Sequence, residues 1–365
     1  MSSFLSTVQS TRVISSTLPA TARAGPVLVG THDGSFHCDE ALAIGMLKLL
    51  PEYAESVVVR TRNPELLAQC GVVVDVGAVY DSATHRYDHH QKEFTGVLGA
   101  GYGTKLSSAG LVYKHFGHAI LRHCLETNDE AFVDVCYHKL YKGFMEHIDA
   151  IDNGVPIASD GQPRYHISTS LSARVGTLNP AWNEDQSPEL QNAQFVHAMA
   201  LTGSEFLAAA LSLKNHWWPA RSIVQSAMDS RLAVHPSGQI IILPSACPWK
   251  DHLFEVEAAM GLSSTPSVEG SSSSSSSSSS SVVLYALYQD TGGSWRVQAV
   301  PVDPTSFKSR KTLPRDWCGI RDEALSALTG LPGSIFVHTG GFIGGHATKE
   351  GAIGMAVQAL SLPGL

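Results

Sequence analysis

The sequence predicts an α/β protein of two domains: an N-terminal domain built on a parallel sheet and a smaller C-terminal α/β domain, joined by a helical linker. Three observations carry this. In the first half, short apolar runs at residues 26–31, 56–61 and 72–76 alternate with helix-spaced segments, the pattern of a parallel sheet. Helical spacing then dominates residues 191–229, broken near Trp217-Trp218-Pro219. From Leu232 onward strand-like runs return. A length of 365 residues leaves room for two cores. The expected bounds are a leader or tail over 1–25, a first domain over 26–190, a linker over 191–231 and a second domain over 232–365.

Taken in order, residues 26–31 are a short buried strand that runs into a polar loop beginning at His32. A helix over 39–50 follows, with apolar residues at Ala43, Met46, Leu47 and Leu50. Asp39 and Glu40 stand in its first turn, where the helix dipole favours acids. Residues 56–61 and 72–76 are further strands. In parallel sheets functional residues gather beyond the carboxyl ends of strands, and His32 and Asp75 occupy such places. Glycine-rich 94–103 is a loop. Leu106, Ala109, Tyr113, Phe116 and Ile120 define an amphipathic helix, and Ser107 and Ser108 at its start can cap it or hold a phosphate. A second helix spans 129–152 and stops at Asn153-Gly154; residues 155–190 read as loop. The second domain has strands at 239–243, 282–288, 295–300 and 334–338, then a glycine-rich turn over 339–346 and a last helix over 348–360. Its segment 263–281 is mostly serine, cannot pack a core, and reads as a disordered insertion.

Composition narrows the function classes. Hydrophobic residues make up 43% and charged residues 16%, an ordinary globular balance. The net charge of −8 gives no overall footprint for nucleic acid, so such a substrate would need metal ions and a local basic groove, for which Arg164, Arg174, Lys311 and Arg315 are candidates. The six cysteines form no C-x-x-C pair, which excludes a zinc ribbon and suits a reducing compartment. No apolar run reads as long enough to span a bilayer, and no membrane is expected. Residues 1–25, rich in Ser, Thr and Ala with Arg12 and Arg23, read as an organelle transit peptide or a plain tail. The expected location is mitochondrial, with nucleus or cytoplasm as alternatives.

The strongest chemical signal is four polar clusters, each following a predicted strand or helix: residues 31–40, Asp75, Asp88-His89-His90-Gln91 and residues 147–154. Taken singly, each has a bland explanation, such as a surface histidine, a turn-forming aspartate or a solvated helix face at Asp149 and Asp152. Together they supply imidazoles from His32, His37, His89 and His90 and carboxylates from Asp39, Asp75, Asp88, Asp149 and Asp152. That mixture suits Mn²⁺, Mg²⁺, Fe²⁺ or Zn²⁺, not a structural thiolate site. A carboxylate can bridge two ions about 3.5–4 Å apart, and such pairs drive in-line displacement at phosphorus.

These motifs in this order resemble the DHH phosphoesterases, which include RecJ-type exonucleases, oligoribonucleases and manganese-dependent inorganic pyrophosphatases. The likeness is closer to one branch, the MYG-type (melanocyte proliferating gene one) exonucleases, formerly labelled metal-dependent protein hydrolases. The stretch Gly30-Thr31-His32-Asp33-Gly34-Ser35-Phe36-His37-Cys38-Asp39-Glu40-Ala41 looks like that branch's first motif. Asp88-His89-His90-Gln91 and residues 148–154 look like the next two, and residues 341–346 with 348–351 like the last. The resemblance implies a DHH catalytic domain, a DHH-associated C-terminal domain and an active site in the cleft between them. It implies two divalent ions, Mn²⁺ first, with Mg²⁺ or Zn²⁺ as alternatives. His32 and His37 would bind the first ion; His37 stands where many relatives have Asp, and the added imidazole favours later transition metals over Mg²⁺. Asp39 and His89 would bind the second, Asp75 would bridge both, Asp88 would orient the loop and His90 would face the scissile phosphate. Asp152 is the favoured last ligand, because Asp152-Asn153-Gly154 fits the branch's Asp-Thr-Gly-like motif, with Asp149 in reserve. Ser107, Ser108, Arg174, Gly344, Gly345, His346 and Lys349 complete the expected substrate contacts. The implied activity is metal-dependent phosphodiester hydrolysis, foremost 3′–5′ exonuclease action on single-stranded RNA or short oligonucleotides. A small-molecule phosphatase or pyrophosphatase on the same centre, or a non-catalytic metal-binding protein, are the alternatives.

Overall fold

The computed structural model describes residues 1–15, 26–158, 163–262 and 281–365. The expected serine insertion therefore lies outside the described residues, except for Ser281, as does the second part of the expected leader. The chain divides into two compact units, Met1–Lys214 and Asn215–Leu365.

In chain order the first unit contains α1 (Ser2–Gln9), β1 (Val13–Ile14), β2 (Leu28–Thr31), α2 (Cys38–Leu47), α3 (Pro51–Ala54), β3 (Val57–Arg60), α4 (Pro64–Leu67), β4 (Val72–Val74), β5 (Tyr80–Asp81), β6 (Arg86–Tyr87), α5 (Ser108–Cys124), α6 (Glu130–Leu140), α7 (Glu146–Asp152), α8 (Leu171–Gly176) and α9 (Pro188–Ser212). Its sheet runs β1-β3-β2-β4-β6-β5, with every pair parallel except β5 with β6. Every residue of β2, β3 and β4 is buried, so these strands read as unbroken apolar runs, not alternating ones. From β2 the chain goes to β3 on one side and returns to β4 on the other. His32 and Asp75 thus leave neighbouring parallel strands at a reversal of strand order, where open α/β sheets place their ligands.

Helix α2 is buried along its whole length and packs against α5 and α9. Gly45 permits the α9 contact: a Cβ there would lie 3.1 Å from the Met199 carbonyl oxygen. Several expectations change. Residues 2–9 are not a plain tail but form α1, which buries Phe4 and Val8 and packs on α9. Helix α9 is not a bare linker, since Phe195, Ala198, Met199 and Phe206 are buried in it. The largely helical stretch Pro188–Asp229 is 42 residues long with a window of mean hydropathy 1.3, by length and composition long and apolar enough to cross a membrane, contrary to the sequence reading. Within α9 that apolarity is used in packing against α1 and α2. The helix expected over 129–152 is three pieces, α6, a π-helical turn at Tyr141–Met145, and α7, while α8 interrupts the expected loop.

The second unit contains α10 (Ala220–Asp229), α11 (Arg231–Val234), β7 (Ile240–Ile242), α12 (Lys250–Ala259), β8 (Tyr285–Gln289), β9 (Trp295–Ala299), α13 (Asp322–Thr329), β10 (Ser334–Val337), β11 (Ile343–His346) and α14 (Lys349–Ser361). Its sheet runs β10-β11-β9-β8-β7, antiparallel except for β7 with β8. One core cluster gathers Leu325, Met355 and Ala356, another Val224, Leu253 and Val256. Residues 339–342 do turn, while the second half of the expected glycine-rich turn is strand β11. Its glycines serve close packing: a Cβ on Gly345 would lie 2.9 Å from the Phe336 ring.

Candidate metal centre

The ends of β2, β4 and β6 and the N-terminus of α2 deliver their polar residues to one place in the first unit. Three groups of side chains each bring ligand atoms within 4.8 Å of one another: His32, His37, Glu40 and Asp75; Asp75, His89 and His90; and Asp39, His89 and Asp152. Asp75 joins the first two groups. Its Oδ2 lies 3.4 Å from His32 Nε2 and its Oδ1 lies 3.4 Å from His89 Nε2. The residue sits at φ 57°, a left-handed conformation costing a non-glycine residue about 1–2 kcal/mol.

The imidazoles are aimed from behind. His32 Nδ1 meets the Asp33 carbonyl at 3.0 Å and His89 Nδ1 meets Asn153 Oδ1 at 3.3 Å. Each ring thereby donates through Nδ1 and presents Nε2 inward, the arrangement by which histidines face a metal. Asn153 is itself fixed, donating to the carbonyls of Lys105 and Asp149 at 3.0 and 2.9 Å. Asp88 accepts from Ala78 N–H at 2.6 Å and from the N–H and Nδ1 of His90 at 3.0 and 2.8 Å. It therefore orients His90, whose side chain is 61% exposed, and takes no place among the ligand groups.

Several buried carboxylate oxygens at the centre are left without hydrogen-bond donors. Both carboxylate oxygens of Asp39 are buried and have no hydrogen-bond partner, and so is Glu40 Oε2. Burial, reinforced by Asp75, Asp152 and Glu40, pushes the Asp39 carboxyl well above its usual range. Burial draws His32 and His89 down, but Asp75 and Glu40 outweigh it for His32 and hold it up at about 10. Asp152 and Asp75 do the same for His89, up to about 9. Asp75 is held below the usual carboxylate range: burial raises it, and His32 and His89 outweigh that. An orphaned buried carboxylate among imidazoles and further carboxylates is the donor set of a hard or borderline divalent cation. His32, His37, Glu40, Asp75, His89, Asp39 and Asp152 fit that role.

Several expected site residues do other work. Asp149 is fully buried, and its oxygens accept from Ser107 N–H, Ser107 Oγ and Tyr141 OH at 3.0, 2.7 and 2.9 Å. Burial lifts it to about 6, with those donors pulling the other way. It is a fastening point for α5, and Asp152 stands in the ligand group instead. Ser107 and Ser108 are fully buried and offer no surface to a phosphate; Ser108 Oγ donates to Asp75 Oδ1 at 3.1 Å. Arg174 is engaged in a two-pronged pair with Glu205 at 2.5 and 2.8 Å. In the second unit Gly344 and Gly345 lie inside β11, and His346 is buried with Nδ1 accepting from Thr348 N–H at 3.0 Å. Lys349 is exposed, its ammonium 5.7 Å from the Trp295 ring centroid.

Three contributors escaped the sequence reading. Glu40 entered it as a dipole-favoured acid, yet its Oε1 lies 3.1 Å from His32 Nε2 and accepts from His37 N–H at 2.8 Å. The readable signal was the capping-box spacing of His37 and Glu40. Asn179 clamps Phe36, accepting from its N–H at 2.9 Å and donating to its carbonyl at 2.8 Å. Arg60 is buried between Phe36 and Phe195, 5.5 and 4.8 Å from their ring centroids, and donates to the Gly34 carbonyl at 2.5 Å. Both hold the loop that carries His37, from positions with no local sequence signal.

No solved structure matches the chain. The family model MYG1_exonuc, described as "Uncharacterised protein family (UPF0160)", matches residues 28–360. "MYG1 exonuclease" of Homo sapiens is 48% identical over 344 residues, 92% of this chain and 86% of that protein. "MYG1 exonuclease" of Bos taurus is 47% identical over 351 residues, covering 94% and 87%. "MYG1 protein" of Dictyostelium discoideum is 45% identical over 332 residues, covering 91% and 95%. With the match running through both units and through every motif at the centre, the chain belongs to the MYG1 exonuclease family.

Proposed function

We propose that the protein is a metal-dependent phosphodiester hydrolase of the DHH type, acting as a 3′–5′ exonuclease on single-stranded RNA or short oligonucleotides through two divalent ions, Mn²⁺ foremost. The single observation that supports this best is Asp75, whose two oxygens face His32 and His89 in separate ligand groups, as a bridging carboxylate must. The exonuclease names of the relatives support the reaction class. Two bound ions would acidify a water and offset charge on the attacking and departing oxygens. The chain's own residues do the rest. Asp33 and Asn153 fix which nitrogen of His32 and His89 faces inward, and Ser108 steadies Asp75. Asp88 holds the exposed His90 ring beside Asp75, 3.5 Å from Oδ1, from which it can donate to a substrate phosphate.

Substrate length is the open variable within this reading. Arg174 is committed to Glu205 and Lys311 to the Leu360 carbonyl at 2.5 Å, so two of the four basic residues expected to grip a polymer are already engaged. That favours short strands over long ones. The test is hydrolysis of a 5′-labelled RNA by metal-stripped protein with Mn²⁺, Mg²⁺ or Zn²⁺ restored. A ladder shortening from the 3′ end, abolished in Asp75→Asn, is the expected result. An intact strand in all three metals would overturn the proposal and turn attention to pyrophosphate and small phosphoesters.

A further inference from the structure

Between the N-terminus of α2, the end of α7 and the helix α8 lies a cavity of about 310 Å³. Its lining includes His37, Asp75, His90 and Asp152, so it adjoins the candidate metal centre. The rest of the lining is of another kind: Phe36, Ile148 and Ile151 are apolar, Cys38 and Ser172 are small, and Gly176 has no side chain. Apart from its chain neighbours and its own helix backbone, nothing lies within 4 Å of the place a Gly176 Cβ would take. Holding ions or gripping a phosphate calls for charge and hydrogen-bond donors, which Phe36, Ile148 and Ile151 do not supply. A flat heteroaromatic group carried on that phosphate does gain from an apolar lining.

Resting on the phosphodiesterase reading above, we infer that this cavity seats one nucleoside of the substrate beside the phosphate being cleaved. Its volume stands at the low end of the roughly 300–1,000 Å³ of small-ligand sites. That is room for one nucleoside and not for two stacked, a size that favours cleavage next to a strand end over cleavage in its middle. Ser172 supplies a hydroxyl within the same lining for the sugar.

The experiment is calorimetric titration of the Mn²⁺-loaded full-length protein with adenosine 5′-monophosphate and with inorganic phosphate. Wild type is expected to bind the nucleotide at least ~10-fold more tightly than phosphate, the ratio set by about 1.4 kcal/mol of base and sugar burial. Gly176→Leu puts a side chain into the cavity and replaces a helical glycine with a better helix former. It is expected to erase the nucleotide preference while leaving phosphate affinity, Mn²⁺ affinity and Tm in place; Ser172→Leu is the second cavity-filling variant should the first not fold. Equal binding of nucleotide and phosphate by wild type, or a preference that survives the filling variants, would overturn the inference. The underlying reaction is judged separately: a nucleotide preference lost in Gly176→Leu, with RNA left intact by wild type, would keep the nucleoside site and remove the hydrolase.

Discussion

The N-termini of α2 and α5 each bury an aspartate, and the two could hardly be treated more differently. Asp39, in the first turn of α2, is 1% exposed and neither of its oxygens has a hydrogen-bond partner, His89 Nε2 standing off at 4.0 Å. Asp149, packed at the start of α5, accepts three hydrogen bonds, and Gly110 leaves the space for its carboxylate: a Cβ there would lie 2.7 Å from Asp149 Cγ. Burying a carboxylate costs several kcal/mol unless donors or a cation compensate. At α5 the compensation comes from the protein. At α2 it is missing, and three more carboxylates, Asp75, Asp152 and Glu40, make the deficit worse. Of these two acids, the satisfied one belongs to the scaffold, and the one without hydrogen-bond donors stands in a ligand group.

The largest expected effect breaks or sustains that contrast directly. Asp39→Asn removes a charge the metal-free protein is better without, so its Tm in chelator should hold or rise. Losing a hydrogen-bonding neighbour of a metal ligand typically costs 10–100-fold in affinity, so losing a ligand should cost ~100-fold or more for Mn²⁺, with kcat/KM below about 1% of wild type. Normal Mn²⁺ binding by calorimetry would show that the unpartnered oxygens serve no ion. Asp149→Ala should invert the pattern. It strands the Ser107 N–H, the Ser107 hydroxyl and the Tyr141 hydroxyl, each costing about 1–3 kcal/mol when buried unpaired. Urea unfolding should report a loss of about 3 kcal/mol, with Mn²⁺ affinity of the folded fraction within ~10-fold of wild type.

Much of the fold and of the centre is legible in the sequence itself, for a physical reason. Parallel strands are buried on both faces, so β2, β3 and β4 announce themselves as apolar runs, and the residues closing them, His32 and Asp75, stand at the sheet's functional edge. The Asp149 and Asp152 pair could not be resolved the same way. Both lie on α7, three residues apart, and only the packing of α5 decides that Asp149 faces Ser107 while Asp152 faces His89 at 3.1 Å. Arg60 and Asn179 act on the His37 loop from far along the chain, and a single sequence carries no trace of such contacts. The packing of residues 2–9 has no local sign for a related reason: Phe4 and Val8 are apolar residues in a short helix, and their partner α9 lies some two hundred residues away. The glycines of β11, expected as substrate contacts, lie in a strand where a Cβ on Gly345 would meet the Phe336 ring, and composition does not distinguish room for a ligand from room for a neighbouring side chain.

A titration tests the same contrast with no mutation at all. In metal-stripped protein His32 and His89 stand at about 10 and about 9, above the roughly 6.5 of an unfolded chain. Folded values above the unfolded one stabilise the protein fully below about pH 6.5, and that contribution is lost as pH rises through 9 and 10. The stripped protein should therefore lose Tm between pH 7 and 10. Mn²⁺-loaded protein should lose less, because the ion takes the place of the protons, and loading at pH 8 should release protons measurably. Equal pH slopes for the stripped and loaded forms would mean that these imidazoles are not the groups the ion displaces.

The smallest effect separates two neighbours on one helix. Ser107 donates to Asp149 and Ser108 donates to Asp75, so consecutive serines at the start of α5 serve the scaffold and the centre in turn. Ser107→Ala removes a capping oxygen, which accepts from Gly110 N–H at 3.3 Å, and a donor to a buried acid, so it should cost about 1–2 kcal/mol of stability with little change in Mn²⁺ affinity. Ser108→Ala removes one donor to an oxygen that His89 also faces, so stability should move by less than about 1 kcal/mol. Asp75 would lose part of its fixed orientation, and a drop of ~3–10-fold in Mn²⁺ affinity and in kcat is expected, restored in Ser108→Thr, which keeps the hydroxyl. The two variants together are the sharpest probe of how cleanly α5 is divided. If each serine shifted both quantities alike, the start of α5 would be one block coupled to the metal centre throughout, and the distinction between a satisfied and an orphaned aspartate would no longer map onto separate tasks.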